Sequence, residues 1–374
     1  MPPRDPNAPA RTRSLRIGID AHAIGERKTG NERFVANLIP ELRERSDHEL
    51  VLYVTTEIAE RTVRGWGLDR TLVHRVRPAT PFVRIPLGLP VHAARDRLDV
   101  LLVQYTAGPW VPCPVVAVVH DVAFRRHPEF FSAFERTWMR RTIPFTMRRA
   151  AGIVTVSSFS RDEIVACFGI DPAKIAIAHE AADPIFARPP SVSSGVEAPY
   201  VLAVGNLQPR KNLAVLIRAM RELDVPHRLV IAGQPSFGAD TLRRDAADLE
   251  RSGRVRFIGF VPDERLVALV AGATAFAFPS VYEGFGLPVV EAMAAGTPVM
   301  VSDIPVMREI AGDAALRLPP HDPGAWARAI GDLATDPDLR ARLAEAGRRR
   351  AADFSWGRTA EMVLVALEAG ASDR

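Results

Sequence analysis

A chain of 374 residues, 47% hydrophobic and 25% charged, has the length for two ordinary domains and the composition of a globular protein that buries its own cores. Its net charge of +4 is modest and implies no nucleic-acid partner, while Cys113 and Cys167 are too few for a disulfide framework, so a reducing, cytoplasmic setting is expected. No apolar run is long enough to cross a bilayer: the longest, residues 266–278, has 13 residues and contains Gly272 and Thr274.

Residues 1–14, rich in Pro, Ala and Arg and lacking the apolar segment of a secretory signal, read as a disordered start. Residues 15–20 form a first strand, followed by a loop and a helix over about 30–44, where Thr29 with Glu32 three residues on makes a capping box. Strand-like runs recur at 50–55, 72–76, 100–103, 115–119, 152–156 and 174–178, alternating with helical or loop segments. That alternation predicts a parallel, doubly wound sheet whose ligands lie beyond the carboxyl ends of its strands. His120-Asp121 falls at one such end. A helix over 158–168 has a capped start in Ser-x-x-Ser-Arg-Asp-Glu, with Glu163 placed for the dipole.

Charge is uneven along the chain: 26 basic minus 21 acidic residues gives +5 for residues 1–187, and 22 minus 23 gives −1 for the rest. Within the basic half, Arg136, Arg140, Arg141, Arg148 and Arg149 interleave with Trp138, Met139, Ile143, Phe145 and Met147. This amphipathic stretch, residues 136–149, suits either contact with an anionic membrane surface or a solvated face, and Pro144 is expected to interrupt it.

Four prolines, three serines and Gly195 within residues 184–199 mark a linker, centred on 188–198. A new strand at 200–204 runs into Gly205-Asn-Leu-Gln-Pro-Arg-Lys-Asn212 and a helix over 213–223. A glycine turn, adjacent cations and a helix start make an anion site, with Lys211 a rotatable ammonium and Arg210 a planar fork. Lys211 is also the sole lysine of the second half, in a chain with three lysines and 45 arginines. Strands follow at 229–232 and 255–258, the latter ending in Gly259-Phe260-Val261. Asp336-Pro-Asp338 has the spacing of a metal-binding pair, but Asp336 as an N-cap and Pro337 at the first helical position explain it better, and no metal site is expected.

The most informative stretch is Phe278-Pro-Ser-Val-Tyr-Glu-Gly-Phe-Gly-Leu-Pro-Val-Val-Glu-Ala-Met-Ala-Ala-Gly-Thr-Pro-Val299. A buried strand at 273–278 leads through a turn punctuated by Gly284 and Gly286 into a helix over 287–295 that Pro288 opens and Gly296 closes. The backbone N–H groups of Phe285, Gly286 and Leu287 and the positive end of the helix dipole favour an anion there. Glu291 would repel a phosphate, so it should address something neutral and hydroxylated beside it, such as a ribose. With a sugar near Glu283, the set describes a nucleotide diphospho-sugar.

The spacing E-G-F-G-L-P-x-x-E-A-M-A-A-G-T-P-V resembles the donor-site signature of glycosyltransferase family 4, retaining enzymes of the GT-B architecture. The resemblance covers roughly residues 15–368. It implies an α/β fold of two Rossmann-like doubly wound parallel-sheet domains facing across a cleft: an acceptor-side domain at 15–187, a donor domain at 199–353, and a final helix at 354–374 returning to the first. It further implies that Gly30 borders the diphosphate and acceptor, and that His120, in V-V-H-D-V-A-F-R-R-H-P-E-F-F, faces the transferred sugar together with Glu283. Gly205, Arg210 and Lys211 match V-G-x-x-x-P-R-K-N, although Asn206 and Gln208 replace the Thr and Glu common in one branch. Phe260 and Val261 are candidate base contacts, core packing being the alternative. Glu180-Ala181 stands where the family usually has Asn-Gly, which leaves the role of Glu180 open.

The implied reaction is metal-independent hexose transfer to a carbohydrate or lipid-linked acceptor, with no cofactor beyond the co-substrate, GDP-mannose or a UDP-sugar. A sugar-nucleotide epimerase and a catalytically silent scaffold share the fold. A dehydrogenase is disfavoured, since Val289 replaces the third glycine of the dinucleotide fingerprint and Pro288 removes an N–H the pyrophosphate would use. A pyridoxal-phosphate phosphorylase would need a lysine, and Lys211 is already assigned.

Overall fold

The computed structural model describes residues 13–25, 29–236 and 238–372. The expected disordered start and Lys28 therefore lie outside the described residues, apart from residues 13 and 14. The chain divides into two compact units, one running through Val118 and including Arg149–Gly152 and the residues from Leu364 on, the other Val119–Arg148 and Ile153–Val363.

Two wholly parallel sheets make up the fold. The first has the strands β1 (Arg16–Asp20), β2 (Glu49–Val54), β3 (Thr71–Arg75), β4 (Val100–Gln104), β5 (Val115–Val118), β6 (Gly152–Thr155) and β7 (Ile175–Ile177), in the order β3-β2-β1-β4-β5-β6-β7. The second has β8 (Tyr200–Val204), β9 (Arg228–Ala232), β10 (Val255–Gly259), β11 (Ala275–Phe278), β12 (Val299–Ser302) and β13 (Leu316–Leu318), in the order β10-β9-β8-β11-β12-β13. Runs such as Leu50-Val-Leu-Tyr-Val54 and Val201-Leu-Ala203 are apolar at every position because both faces are covered by helices, as parallel sheets require.

The second sheet positions the site. From β8 the chain winds outward through β9 and β10, then returns to pair β11 against the other side of β8, Ala275 opposite Val201 and Phe276 opposite Leu202. The winding direction reverses between β8 and β11, and the carboxyl ends of strands at such a switch point are where doubly wound sheets bind their ligands. Behind them Leu216, Ile217, Leu229, Ile231, Trp326 and Leu333 form one apolar cluster. Each such side chain contributes roughly 1.5–3 kcal/mol on leaving water, which makes the sheet a stiff support for its loops.

One local expectation differs from the structure. Pro144 does not interrupt its helix, which runs unbroken as Ala133–Arg149. Pro144 lies on the buried face with Ile143 and Met147, and packing of that face outweighs the one backbone hydrogen bond that proline forgoes. Glu32 of the expected capping box accepts from the backbone N–H of Gly25 at 2.6 Å, and the side chain of Thr29, its other half, lies outside the described residues. Asp336 does cap its helix, accepting from the N–H of Leu339 at 2.8 Å, with Pro337 in the first turn.

Candidate functional site

The loop leaving β8 begins at Gly205, whose φ of +148° lies in a region that side chains rarely adopt. A Cβ there would sit 3.1 Å from Cε of Lys211, so the missing side chain gives the lysine stem its place. The loop then makes a short 3-10 turn, Pro209–Lys211, and ends on Asn212, left-handed at φ +49°. The Asn212 amide donates to the carbonyls of Pro279 at 3.1 Å and Pro320 at 2.6 Å, and the N–H of Val281 donates to the carbonyl of Arg210 at 3.0 Å. These bonds tie the loop after β8 to the loop after β11.

Their purpose is visible in Glu283. This carboxylate, 7% exposed, takes Lys211 Nζ on Oε1 and Arg210 Nη1 on Oε2, each at 2.6 Å. Burial by itself would raise its pKa, but the two cations outweigh burial and hold it at about 2. Lys211 is held below its ordinary value, burial acting more strongly on the ammonium than its carboxylate partner, with Arg210 adding repulsion. Its Nζ also lies 4.8 Å from the centre of the Phe278 ring. Two cations therefore share one carboxylate in a low-dielectric setting.

The turn that follows Glu283 opens the helix Leu287–Ala294 through Gly286, left-handed at φ +102°. Met307 would clash with a Cβ at that position, its Cε lying 2.5 Å away. The N–H groups of Phe285, Gly286 and Leu287 have no acceptor among the described residues, and Pro288 has none to offer. The helix start thus leaves three donors unused at the positive end of its dipole. The Phe285 ring is buried, edge-on to Phe354 and tilted against His179. Glu291 lies within this helix at 4% exposure.

His120, just past β5, belongs to the same compact unit as these residues. A Cβ on Gly284 would stand 2.2 Å from the carbonyl oxygen of His120, so the two backbones approach as closely as only glycine permits. Ser157 and Ser160 fix the approach. Ser157 Oγ donates to the Gly284 carbonyl at 2.6 Å, and Ser160 Oγ reaches the carbonyls of His120 at 2.9 Å and Gly284 at 3.1 Å. The His120 ring pairs through Nδ1 with Glu180 Oε1 at 3.2 Å, both side chains buried.

Ser157 also caps the helix Ser158–Phe168 by accepting from the N–H of Ser160. The negative charge at that helix start is supplied by Glu309, which accepts from the N–H groups of Ser158 at 2.7 Å and Phe159 at 2.9 Å. Burial pushes the Glu309 carboxyl up, but its hydrogen bonds to His179 and these N–H groups win and hold it below its ordinary value. Glu163, expected to serve the dipole, instead forms a two-point pair with Arg126 at 2.6 and 2.9 Å.

The remaining candidates are dispersed. Val261 is buried, whereas Phe260 beside it is 42% exposed beyond the end of β10. Gln208, in place of the acidic residue, donates to Ser236 Oγ at 3.3 Å. Gly30 belongs to the other compact unit, in the first turn of the helix Thr29–Arg45, with open space where a Cβ would be. Glu180, Ser157 and Ser160 were not read from sequence as site residues. Their partners at the site, His120 and Gly284, lie 40 to 127 positions away, beyond the reach of any local pattern. The departure at Glu180-Ala181 was the one available signal.

Comparison with known proteins bears on both halves. Residues 189–350 match the family model described as "Glycosyl transferases group 1", and residues 29–185 match "Glycosyltransferase Family 4". The chain is 33% identical over 253 residues to the O-antigen chain mannosyltransferase B of Escherichia coli, spanning 64% of this chain and 66% of that one. It is 31% identical over 225 residues to the O-antigen chain mannosyltransferase RfbU of Salmonella typhimurium, spanning 60% and 62%. The matched region thus falls short of two thirds of either relative's length. Among solved structures, HepE of Anabaena in complex with UDP and glucose superposes with a TM-score of 0.72 over 94% of this chain and 98% of that one. At 19% identity, that likeness speaks to the fold alone.

Proposed function

The chain is a member of glycosyltransferase family 4, and on that premise we propose that it moves a hexose from a nucleotide diphospho-sugar to a sugar or glycolipid acceptor, with retention at the anomeric carbon and without a metal ion. The observation that carries the reading is the shared carboxylate Glu283, which holds Arg210 and Lys211 together at the switch point of the second sheet, one turn before a helix start with three open N–H donors. In this reading the diphosphate lies across the cations and the helix start, and the ribose diol meets Glu291. The sugar lies toward Glu283 and His120.

As the bond between the anomeric carbon and the diphosphate breaks, its electron pair goes to the departing oxygen. Arg210, Lys211 and the N–H groups of 285–287 are already oriented to receive that charge. Preorganised donors of this kind lower barriers because they need no reorganisation at the moment of reaction, and removing one costs on the order of 100-fold in rate or more. The acceptor oxygen bonds to the sugar from the face the diphosphate leaves, and its proton departs with the leaving group. A site that supplies its own fixed cations has no need of a bridging metal, so turnover should survive EDTA.

The names of the two mannosyltransferase relatives favour mannose as the sugar, and the proposed donor is GDP-mannose, with a UDP-sugar as the alternative. The exposed Arg140, Arg141, Phe145, Arg148 and Arg149 of the helix Ala133–Arg149 suit contact with an anionic membrane surface, where a lipid-linked acceptor would reside at the inner face. A thermal-shift panel of UDP-, GDP-, ADP- and TDP-sugars tests the donor. One nucleotide should raise the melting temperature well above the others, and a flat panel would sink the reading.

A further inference from the structure

We propose that Glu180 is a positioning residue for His120, fixing which ring nitrogen is turned toward the donor sugar; this rests on the glycosyltransferase reading above. Glu180 is 5% exposed, and a carboxylate so far from water persists only with a partner. That partner is His120 Nδ1, 3.2 Å from Oε1. A carboxylate only accepts hydrogen bonds, so the imidazole donates from Nδ1–H. In the neutral ring Nε2 is then the acceptor, the form that takes a hydrogen bond from a sugar hydroxyl.

The backbones that carry the two partners are held as well. The His120 carbonyl is held by Ser160 Oγ, and the peptide lies against Gly284. The residue before Glu180 is anchored too: the carbonyl of His179 accepts from the Thr359 hydroxyl, its Nε2 lies 3.3 Å from Glu309, and its ring meets Phe285 and Phe354. Residues 179 and 180 thus join the first N–H donor of the helix start to the histidine, one residue contacting each. Where relatives of the usual pattern would have an Asn-Gly pair, this chain has a carboxylate aimed at the imidazole.

Long-range nitrogen-15 NMR of the full chain reads the tautomer directly, with His120 assigned by its loss in His120→Gln. The wild-type ring should carry its proton on Nδ1. Glu180→Gln keeps an acceptor at the same place and should keep that tautomer, whereas Glu180→Leu should lose it. With GDP-mannose and UDP-glucose each tried as donor, nucleoside diphosphate release should fall on the order of 100-fold in kcat for Glu180→Leu, with little change in KM, and recover most of the way in Glu180→Gln.

A wild-type ring protonated on Nε2 overturns the proposal whatever the variants do. So does a Glu180→Leu enzyme that keeps the Nδ1 tautomer or the wild-type rate, or a Glu180→Gln enzyme as impaired as Glu180→Leu. Should neither nucleotide sugar bind the wild-type protein, the donor reading fails, and the NMR comparison still decides the role of Glu180.

Discussion

Glu283→Gln removes the charge that two cations share while keeping the shape of the side chain. The carboxyl is held at about 2 against an ordinary 4.5, which corresponds to about 3 kcal/mol of stability at neutral pH. Loss of one partner from a buried ion pair typically costs about 3–5 kcal/mol, which agrees. Lys211, already depressed by burial, can shed its proton in the variant, and this keeps the expected loss near the lower figure.

The sign with pH follows from the depressed pKa. The stabilisation is complete above the unfolded value of 4.5 and is lost as pH falls toward 2. Urea denaturation should therefore show the wild type about 3 kcal/mol more stable than Glu283→Gln at pH 7, the gap narrowing by about 2 kcal/mol at pH 3. A gap below about 0.5 kcal/mol at pH 7, or one that does not narrow in acid, would refute the reasoning.

Lys211→Ala should weaken binding of GDP or UDP by roughly 10- to 100-fold in calorimetry, the value of one or two charge-assisted hydrogen bonds; unchanged affinity would place the diphosphate elsewhere. Glu291→Ala should chiefly erase discrimination between the ribo and 2′-deoxy forms of the nucleotide, with a smaller loss of affinity than Lys211→Ala. Gly284→Ala forces a methyl to within 2.2 Å of the His120 carbonyl, so a melting temperature lowered by the equivalent of about 1–3 kcal/mol is expected, together with slowed turnover. Turnover in the presence of EDTA should match that in its absence.

The strands were legible because parallel strands buried on both faces leave unbroken apolar runs, as in Tyr200–Val204 and Ala275–Phe278. β13, Leu316–Leu318, was not, being three residues long with a central arginine. Gly286 and Pro288 announced their helix start through backbone chemistry that is local to the sequence. The pairing of Glu283 with Arg210 and Lys211 was not local: both loops were read as anion sites, and that they share one carboxylate depends on β8 and β11 being neighbours. Ser157 and Ser160 read as an ordinary cap, which Ser157 is, but their reach to Gly284 and His120 is set by tertiary packing. Pro144 misled because packing of its buried face overrides its local cost.

The account stands on Arg210, Lys211 and the start of the helix Leu287–Ala294 acting on one activated sugar. A crystal structure with GDP or UDP bound tests this most directly. The account predicts diphosphate oxygens within hydrogen-bond reach of Lys211 Nζ, the Arg210 guanidinium and the N–H groups of residues 285–287. A nucleotide bound elsewhere, with both cations still closed on Glu283, would contradict it.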